Sequence, residues 1–296
     1  VKYGLLNLYK PPGPTSRDCV NQINKRLKQN KVAHAGTLDP LAQGVLLILV
    51  GPAVRLMDEI HELDKEYVAS FRLGLRSPSC DLETECEDVP LPSDVDIDAI
   101  QSRLTQFVGR IEQVPSAYSA IRVDGKRSHH AARQGTAVQI PSRYVTIHDL
   151  ECLESKLPEL RLRIRCSTGT YIRTLGSDLA KSLGTDAVMT QLTRVRVGPF
   201  ALETAVALDA IPDPMPDEFL QPAIAALQAW DSWRVDDPTM RRILDGQRLD
   251  PADVPVCGGS RLAVLDSRSI LRAIVKRLPD GTWRCDKGIA HWDVFP

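Results

Sequence analysis

Long apolar runs are missing from this 296-residue chain. The longest, residues 45–50, is far too short to cross a bilayer. A basic-then-apolar leader is missing from its N-terminus as well, so no secretory signal is expected. The seven cysteines (Cys19, Cys80, Cys86, Cys152, Cys166, Cys257 and Cys285) are odd in number and scattered, with no Cys-x-x-Cys pair. That pattern predicts free thiols in a reducing cytoplasm rather than disulfides or a zinc site. No Gly-x-x-x-x-Gly-Lys-Ser/Thr loop occurs, and no Gly-x-Gly-x-x-Gly follows a strand-like run, so the common phosphate-binding frameworks are not indicated. His61-Glu62 begins like a zinc-protease helix, but Lys65 stands where the second histidine is needed. The expectation is chemistry that needs no cofactor and no metal.

A strong net charge is also lacking: 37 basic residues face 38 acidic ones. The distribution is more informative than the sum. Residues 80–98 hold eight acidic side chains and no basic one. Residues 121–145 hold Arg122, Lys126, Arg127, Arg133 and Arg143 against Asp124 alone, with His129 and His130 beside them. Residues 159–200 hold seven basic and three acidic residues. Such segregation permits a basic RNA-facing side on a near-neutral protein, although ordinary solvated faces give the same counts.

What is present reads as a soluble mixed fold, with 43% hydrophobic and 25% charged residues. Residues 5–8 read as a strand, and Thr15-Ser16-Arg17-Asp18 resembles a capping box opening a helix with Val20, Ile23 and Leu27 on one face. Residues 45–49 read as a buried strand. Tyr67, Ala69, Phe71 and Leu73 alternate with Val68, Ser70 and Arg72. Ile97, Ile100, Leu104 and Phe107 mark a helix. Leu160, Leu162, Ile164 and Cys166 alternate with Arg161, Arg163 and Arg165, so this strand should have one apolar and one basic face. A helix over 170–183 stopped by Gly184, then a strand over 188–197, complete the main part. Beyond Phe200 the prolines 212, 214 and 216 suggest a linker, followed by strand-like runs at 261–265, 270–275 and 283–285.

The most informative segment is His34-Ala35-Gly36-Thr37-Leu38-Asp39-Pro40-Leu41-Ala42-Gln43-Gly44. It sets one carboxylate in a loop bounded by Gly36 and Gly44, and Pro40 biases Asp39 away from the helical region. Such an aspartate can serve as nucleophile or electrostatic stabiliser. Equally, Asp-Pro can open a helix as N-cap and first-turn proline.

Several ordered motifs decide between these readings. They are Lys10-Pro11-Pro12-Gly13-Pro14-Thr15-Ser16, the Asp39 loop, Asp64-Lys65-Glu66-Tyr67, and Pro115-Ser116-Ala117-Tyr118-Ser119-Ala120. Gly169-Thr170-Tyr171-Ile172-Arg173-Thr174 and Leu192-Thr193-Arg194 follow. From Gly4 to about Phe200 the chain resembles the TruB-type tRNA pseudouridine synthases. Ala33 departs from the family's usual glycine and Glu66 from a common basic residue; neither change removes a reacting group.

The resemblance implies an α+β fold: a central mixed, mainly antiparallel sheet flanked by helices, with a small β-rich, PUA-like C-terminal domain. It implies a catalytic domain over 1–225, an RNA-gripping insertion at 118–144 and the C-terminal domain over 226–296. The implied reaction turns uridine 55 in the T-loop of tRNA into pseudouridine, with Asp39 as nucleophile and the base flipped out. Arg173 corresponds to the arginine that pairs with the catalytic aspartate, and Tyr67 to the tyrosine that stacks on the base. Tyr67 is also a candidate proton acceptor, a role that needs tuning because a free phenol titrates near ~10. His34, Tyr171 and Leu192 correspond to substrate-binding positions, and Lys126, Arg127, His129 and Arg133 to the RNA-backbone grip. Lys10, Pro11 and Gly36 correspond to structural support of the loop. No cofactor, metal, guide RNA or protein partner is implied; the expected partner is the tRNA T-arm, and the expected state a cytoplasmic monomer. A tRNA-folding protein on the same scaffold and an isomerase of another RNA are the competing readings.

Overall fold

A computed structural model describes residues 3–28, 31–116, 118, 122–123, 126–127 and 140–289. In chain order its principal elements are β1 (Gly4–Lys10), α1 (Ser16–Leu27), β2 (Val32–Ala35), β3 (Gln43–Val50), α2 (Met57–Glu62), β4 (Lys65–Leu73) and α3 (Ile97–Leu104). There follow β5 (Gly109–Gln113), β6 (Arg143–Lys156), β7 (Glu159–Cys166), α4 (Ile172–Ser182), β8 (Ala187–Val197) and β9 (Val206–Ala207). The C-terminal part holds β10 (Ser232–Arg234), α5 (Asp237–Leu244), β11 (Arg261–Leu265), β12 (Leu271–Arg277) and β13 (Trp283–Gly288). The class is α+β, and no helix among the described residues is long and apolar enough to span a membrane.

The chain forms two compact units. The first comprises residues 1–40, 44–62 and 198–296. Here β1 pairs antiparallel with β3 and parallel with β9, and β2 pairs antiparallel with β3. Leu5, Leu6, Leu8 and all of residues 45–50 are buried, which explains why β3 reads as an unbroken apolar run rather than an alternation. Helix α1 starts at the capping box read from the sequence. Thr15 Oγ1 accepts from Asp18 N, and Asp18 Oδ2 accepts from Thr15 N at 2.9 Å. Its Cys19, Val20, Ile23 and Leu27 are buried.

The same unit contains the second sheet, ordered β10-β11-β12-β13 and antiparallel except for the β10–β11 pair. Val235, Met240, Ile243, Leu262, Val264, Val275 and Trp283 give it a core of its own. A charge network joins it to α2. Lys287 Nζ donates to Asp58 Oδ2 at 2.8 Å and Glu59 Oε2 at 3.0 Å, while Arg261 pairs with Glu59 and, at 3.1 Å, with Asp286.

The second unit comprises residues 41–43 and 63–197. Its sheet runs β8-β4-β7-β6-β5, antiparallel throughout. Strand β7 follows the period-two reading: Leu160, Leu162, Ile164 and Cys166 are buried and the residues between them exposed. One of its exposed arginines meets two acids, Arg163 lying 3.6 Å from Glu66 and 3.1 Å from Glu151. Glu66 also lies 3.6 Å from Arg196, so the sequence departure at this position is absorbed by two arginines. Helix α4 rests on the apolar face of β4. Gly176 lies so close to the Phe71 ring that a Cβ there would fall 2.0 Å from Phe71 Cε1.

Three expectations are corrected in detail. Helix α3 stops at Leu104, so Phe107 falls in a following 3-10 turn, and Ile97 at the helix start is exposed. Helix α4 begins at Ile172, two residues late, because Thr170 Oγ1 bonds back to Ser167 O and Gly169 adopts φ +80°. The proline segment after Phe200 is not merely a linker, since Met215 N donates to Arg26 O at 3.2 Å and Gln221 N to Leu5 O at 2.7 Å.

Candidate active site

The Asp39 loop lies in the first unit, between β2 and β3. No helix follows Asp39; Pro40 and Leu41 form a turn that leads into β3. The reason is visible at Pro40, whose carbonyl would accept from residue 44 in a helix. Instead it accepts from Gly13 N at 2.8 Å and from Lys10 Nζ at 3.2 Å. The Lys10 ammonium also donates to Pro11 O at 3.0 Å, and the side chain is fully buried. On the other flank, Ser16 Oγ donates to Leu38 O and accepts from Leu38 N, both at 3.0 Å. Leu38 is buried and Asp39 half-buried. Gly36 at φ +86° and Gly44 at φ +108° let the chain turn into and out of the loop. Asp39 is therefore fixed through the backbone of both neighbours. His34 sits on β2 opposite Ile48, and Ala33 opposite Leu49.

The second unit assembles Tyr67, Leu192, Tyr171 and Arg173. Tyr67 pairs with Ile164 on one side and Arg194 on the other, and Ala69 pairs with Leu162 and Leu192. Residues directly opposite across a ladder share a face. Tyr67, Leu192 and Arg194 thus lie on the side of the sheet that carries α4. Lys65 lies on that side too and is almost fully buried; its desolvation, with the Arg194 charge nearby, pulls its ammonium down to about 8. Asp64, at the head of the same motif, meets His148 Nε2 at 3.0 Å.

Tyr171 precedes the first turn of α4, where Gln113 grips both of its backbone groups. Tyr171 N donates to Gln113 Oε1 at 3.0 Å, and Gln113 Nε2 donates to Tyr171 O at 3.3 Å. Arg173 is 6% exposed and hydrogen-bonded on both arms of its fork. Nη1 donates to Asp81 Oδ2 at 2.9 Å and Ser79 O at 3.2 Å, and Nη2 to Tyr118 O at 3.2 Å. The helix-surface alternative for Arg173 is thereby set aside.

Asp81 and Gln113 were not singled out from the sequence. Asp81 is one of eight acids in a single run, and its arginine lies 92 residues on. Gln113 is an ordinary polar residue at a strand end. In the insertion, the backbone of Lys126 and Arg127 forms a short strand against residues 122–123. His129, His130 and Arg133 lie outside the described residues. All seven cysteines are free, and burial pushes the Cys166 thiol up to about 11. Among the described residues no three His, Cys, Asp or Glu side chains converge on a metal-sized site.

Residues 24–172 match the family model described as TruB family pseudouridylate synthase (N terminal domain). A tRNA pseudouridine synthase B from Burkholderia lata is 40% identical over 276 residues, covering 90% of this chain and 85% of the relative. One of the same name from Synechocystis sp. is 41% identical over 260 residues, covering 86% and 88%. Among solved structures, one of a Cbf5–Nop10–Gar1 complex aligns with a TM-score of 0.77 at 26% identity, covering all of this chain and 87% of that one.

Proposed function

The chain belongs to the TruB family of pseudouridylate synthases, an isomerase family acting on RNA, and from that premise we propose that it converts uridine 55 in the T-loop of tRNA to pseudouridine, with Asp39 as nucleophile. The observation that carries the reading is the clamp on the Asp39 loop. A carboxylate held through both neighbouring residues, by Lys10, Gly13 and Ser16, is preorganised rather than mobile. Loops merely linking two strands have no need of a buried ammonium.

The reaction is redox-neutral. The uracil N1–C1′ bond breaks, the detached base turns, and C5 bonds to C1′. The C5 proton is then lost and N1 takes one up. Asp39 assists at the first step; attack at the sugar, attack at the base and a route through a 2′-deprotonated sugar all balance. Arg173 serves as the cationic partner of the aspartate, and Tyr67 stacks on the extruded base and stands nearest in role to the C5 proton. Tyr171 and Leu192 line the uracil pocket, and His34 meets the RNA as the base leaves its stack. Lys10, Pro11 and Gly36 support the loop, while Lys126, Arg127, His129 and Arg133 hold phosphates and set register.

Residues 1–225 form the catalytic domain and 226–296 a PUA-like module; the four-stranded sheet with its own core supports that division. The protein works in the cytoplasm as a monomer; that it needs no guide RNA or protein partner is a reading supported by its 40% identity to a tRNA pseudouridine synthase B, against 26% to the solved Cbf5–Nop10–Gar1 structure. The test is tritium release from C5 of labelled tRNA. Wild type should release one label per tRNA, and none from tRNA carrying cytidine at 55. Asp39→Asn should release at least about a thousandfold more slowly. Release that persists without uridine 55, or with Asp39→Asn, overturns the proposal.

A further inference from the structure

We propose that Arg143 is a phosphate-binding residue for the substrate RNA, gripping a phosphodiester next to the target nucleoside; this rests on the uracil-pocket reading of Tyr171. Arg143 opens β6 and pairs with Gln113 on β5, the residue that clamps Tyr171 by its backbone. Its guanidinium lies over the Tyr171 ring, 5.4 Å from the centroid. The ring is thus fixed twice from one rung of the ladder: main chain by Gln113, aromatic face by Arg143.

The Arg143 side chain makes no ion pair or hydrogen bond among the described residues, and its Nε is buried without a partner. That contrasts with Arg173, whose fork is satisfied by a carboxylate and two carbonyls. A guanidinium is planar, so one face can rest on an aromatic ring while the N–H edges stay in plane and open. Nε itself is closed to solvent, so the terminal nitrogens are the donors that a ligand can meet. The acceptor must be anionic to match a permanent cation, and it must reach a residue that borders the uracil pocket. In an RNA substrate, phosphodiester oxygens meet both demands; base edges carry no formal charge. Arg143 also stands where the chain leaves the 118–144 insertion, so a phosphate held here would link the grip on RNA to the position of Tyr171.

The experiment measures binding of a T-arm stem-loop to the full chain, with Arg143→Gln and Arg143→Lys, and with neutral methylphosphonate linkages placed singly around the target uridine. Arg143→Gln should weaken binding about tenfold, as expected for one lost charge-assisted hydrogen bond. Its salt slope should flatten by about 0.7–0.9. Arg143→Lys should keep the slope but lose part of the affinity with the fork. One neutral linkage should weaken wild type by a similar factor and leave Arg143→Gln unaffected. If every neutral linkage affects both proteins equally, or if the salt slope is unchanged in Arg143→Gln, the proposal is wrong. Because these readouts need no turnover, an RNA gripped through Arg143 yet never isomerised would fault the catalytic reading and uphold this one.

Discussion

Gly176 offers a sharp test of how α4 is placed. A methyl at this position would sit 2.0 Å from Phe71 Cε1, 2.3 Å from Cδ1 and 2.8 Å from Cζ. Ordinary contact begins at 3.4 Å, so helix and ring must separate by about 1.4 Å. The ring is 1% exposed and has no open side to swing into. In an open helix, Gly→Ala gains about 1 kcal/mol from propensity. Overpacking a tight core costs about 1–3 kcal/mol, and an overlap this deep belongs at the upper end. Gly176→Ala should therefore destabilise by about 1–2 kcal/mol net, read as a lower urea midpoint at unchanged slope. Activity should fall further than stability, because lifting α4 displaces Tyr171 and Arg173, and a 1 Å misplacement can cost about a hundredfold in rate. Adding Phe71→Leu should return part of both losses, a coupling that a double-mutant cycle isolates. A Gly176→Ala protein as stable as wild type, with full tritium release, would refute the close packing on which this rests.

Lys10→Met should reduce kcat at least about tenfold while RNA binding holds, because the Pro11 and Pro40 carbonyls lose their shared ammonium; stability should drop by about 1–3 kcal/mol. Separate kcat and Kd measurements check this, and a kcat within twofold of wild type would count against the clamp. Asp81→Ala should cost about 3–5 kcal/mol by removing the buried carboxylate that meets Arg173 Nη1, and Asp81→Asn less, since an acceptor is retained; chemical denaturation of both variants tests the order. Lys65 predicts a pH effect. Its folded value of about 8 lies below the ordinary 10.5, so between these values the unfolded chain binds more protons and stability rises with pH. Denaturation of wild type against Lys65→Met from pH 7.5 to 10.5 should show that rise in wild type alone, and parallel curves would contradict it.

Local signals were the readable ones. The capping box at Thr15 and Asp18, the alternation of β7 and the apolar run of β3 each lie within a few residues, and each folds as its pattern demands. Signals that depend on distant partners were not readable. Asp39-Pro40 fits a helix start by every local rule, and the turn forms because Gly13 and Lys10, some thirty residues earlier, take the Pro40 carbonyl. β2 has neither alternation nor a long apolar run, and it exists as a strand because β3 offers Val50 to Leu47 as partners. Asp81 is chemically like its seven acidic neighbours until the fold brings Arg173 to it. The motif residues themselves were recognisable only as an ordered set, since Tyr67 or Leu192 alone reads as ordinary core.

The side chains that hold the site in place share one device, and it explains why sequence reasoning undercounts them. Asp39, Tyr171 and Arg173 are each positioned by bonds that involve main-chain groups: Leu38 and Pro40 for the first, the Tyr171 amide and carbonyl for the second, the Ser79 and Tyr118 carbonyls for the third. A side chain that clamps a backbone leaves no mark at the position it clamps, because every residue type there offers the same amide. Ser16 and Gln113 therefore look like an ordinary helix residue and an ordinary strand residue in the sequence, and Lys10 stands out as a loop support only through the motif that contains it. The same logic sets the expected pattern of damage. Losing a backbone clamp shifts a reacting group without deleting it, so variants at Ser16 and Gln113 should lower kcat while leaving the pH profile of the reaction where it is. Variants that remove a titrating group from the Tyr67 face of the sheet, such as Lys65, should instead move that profile, which makes its shape the measurement that separates placement from chemistry.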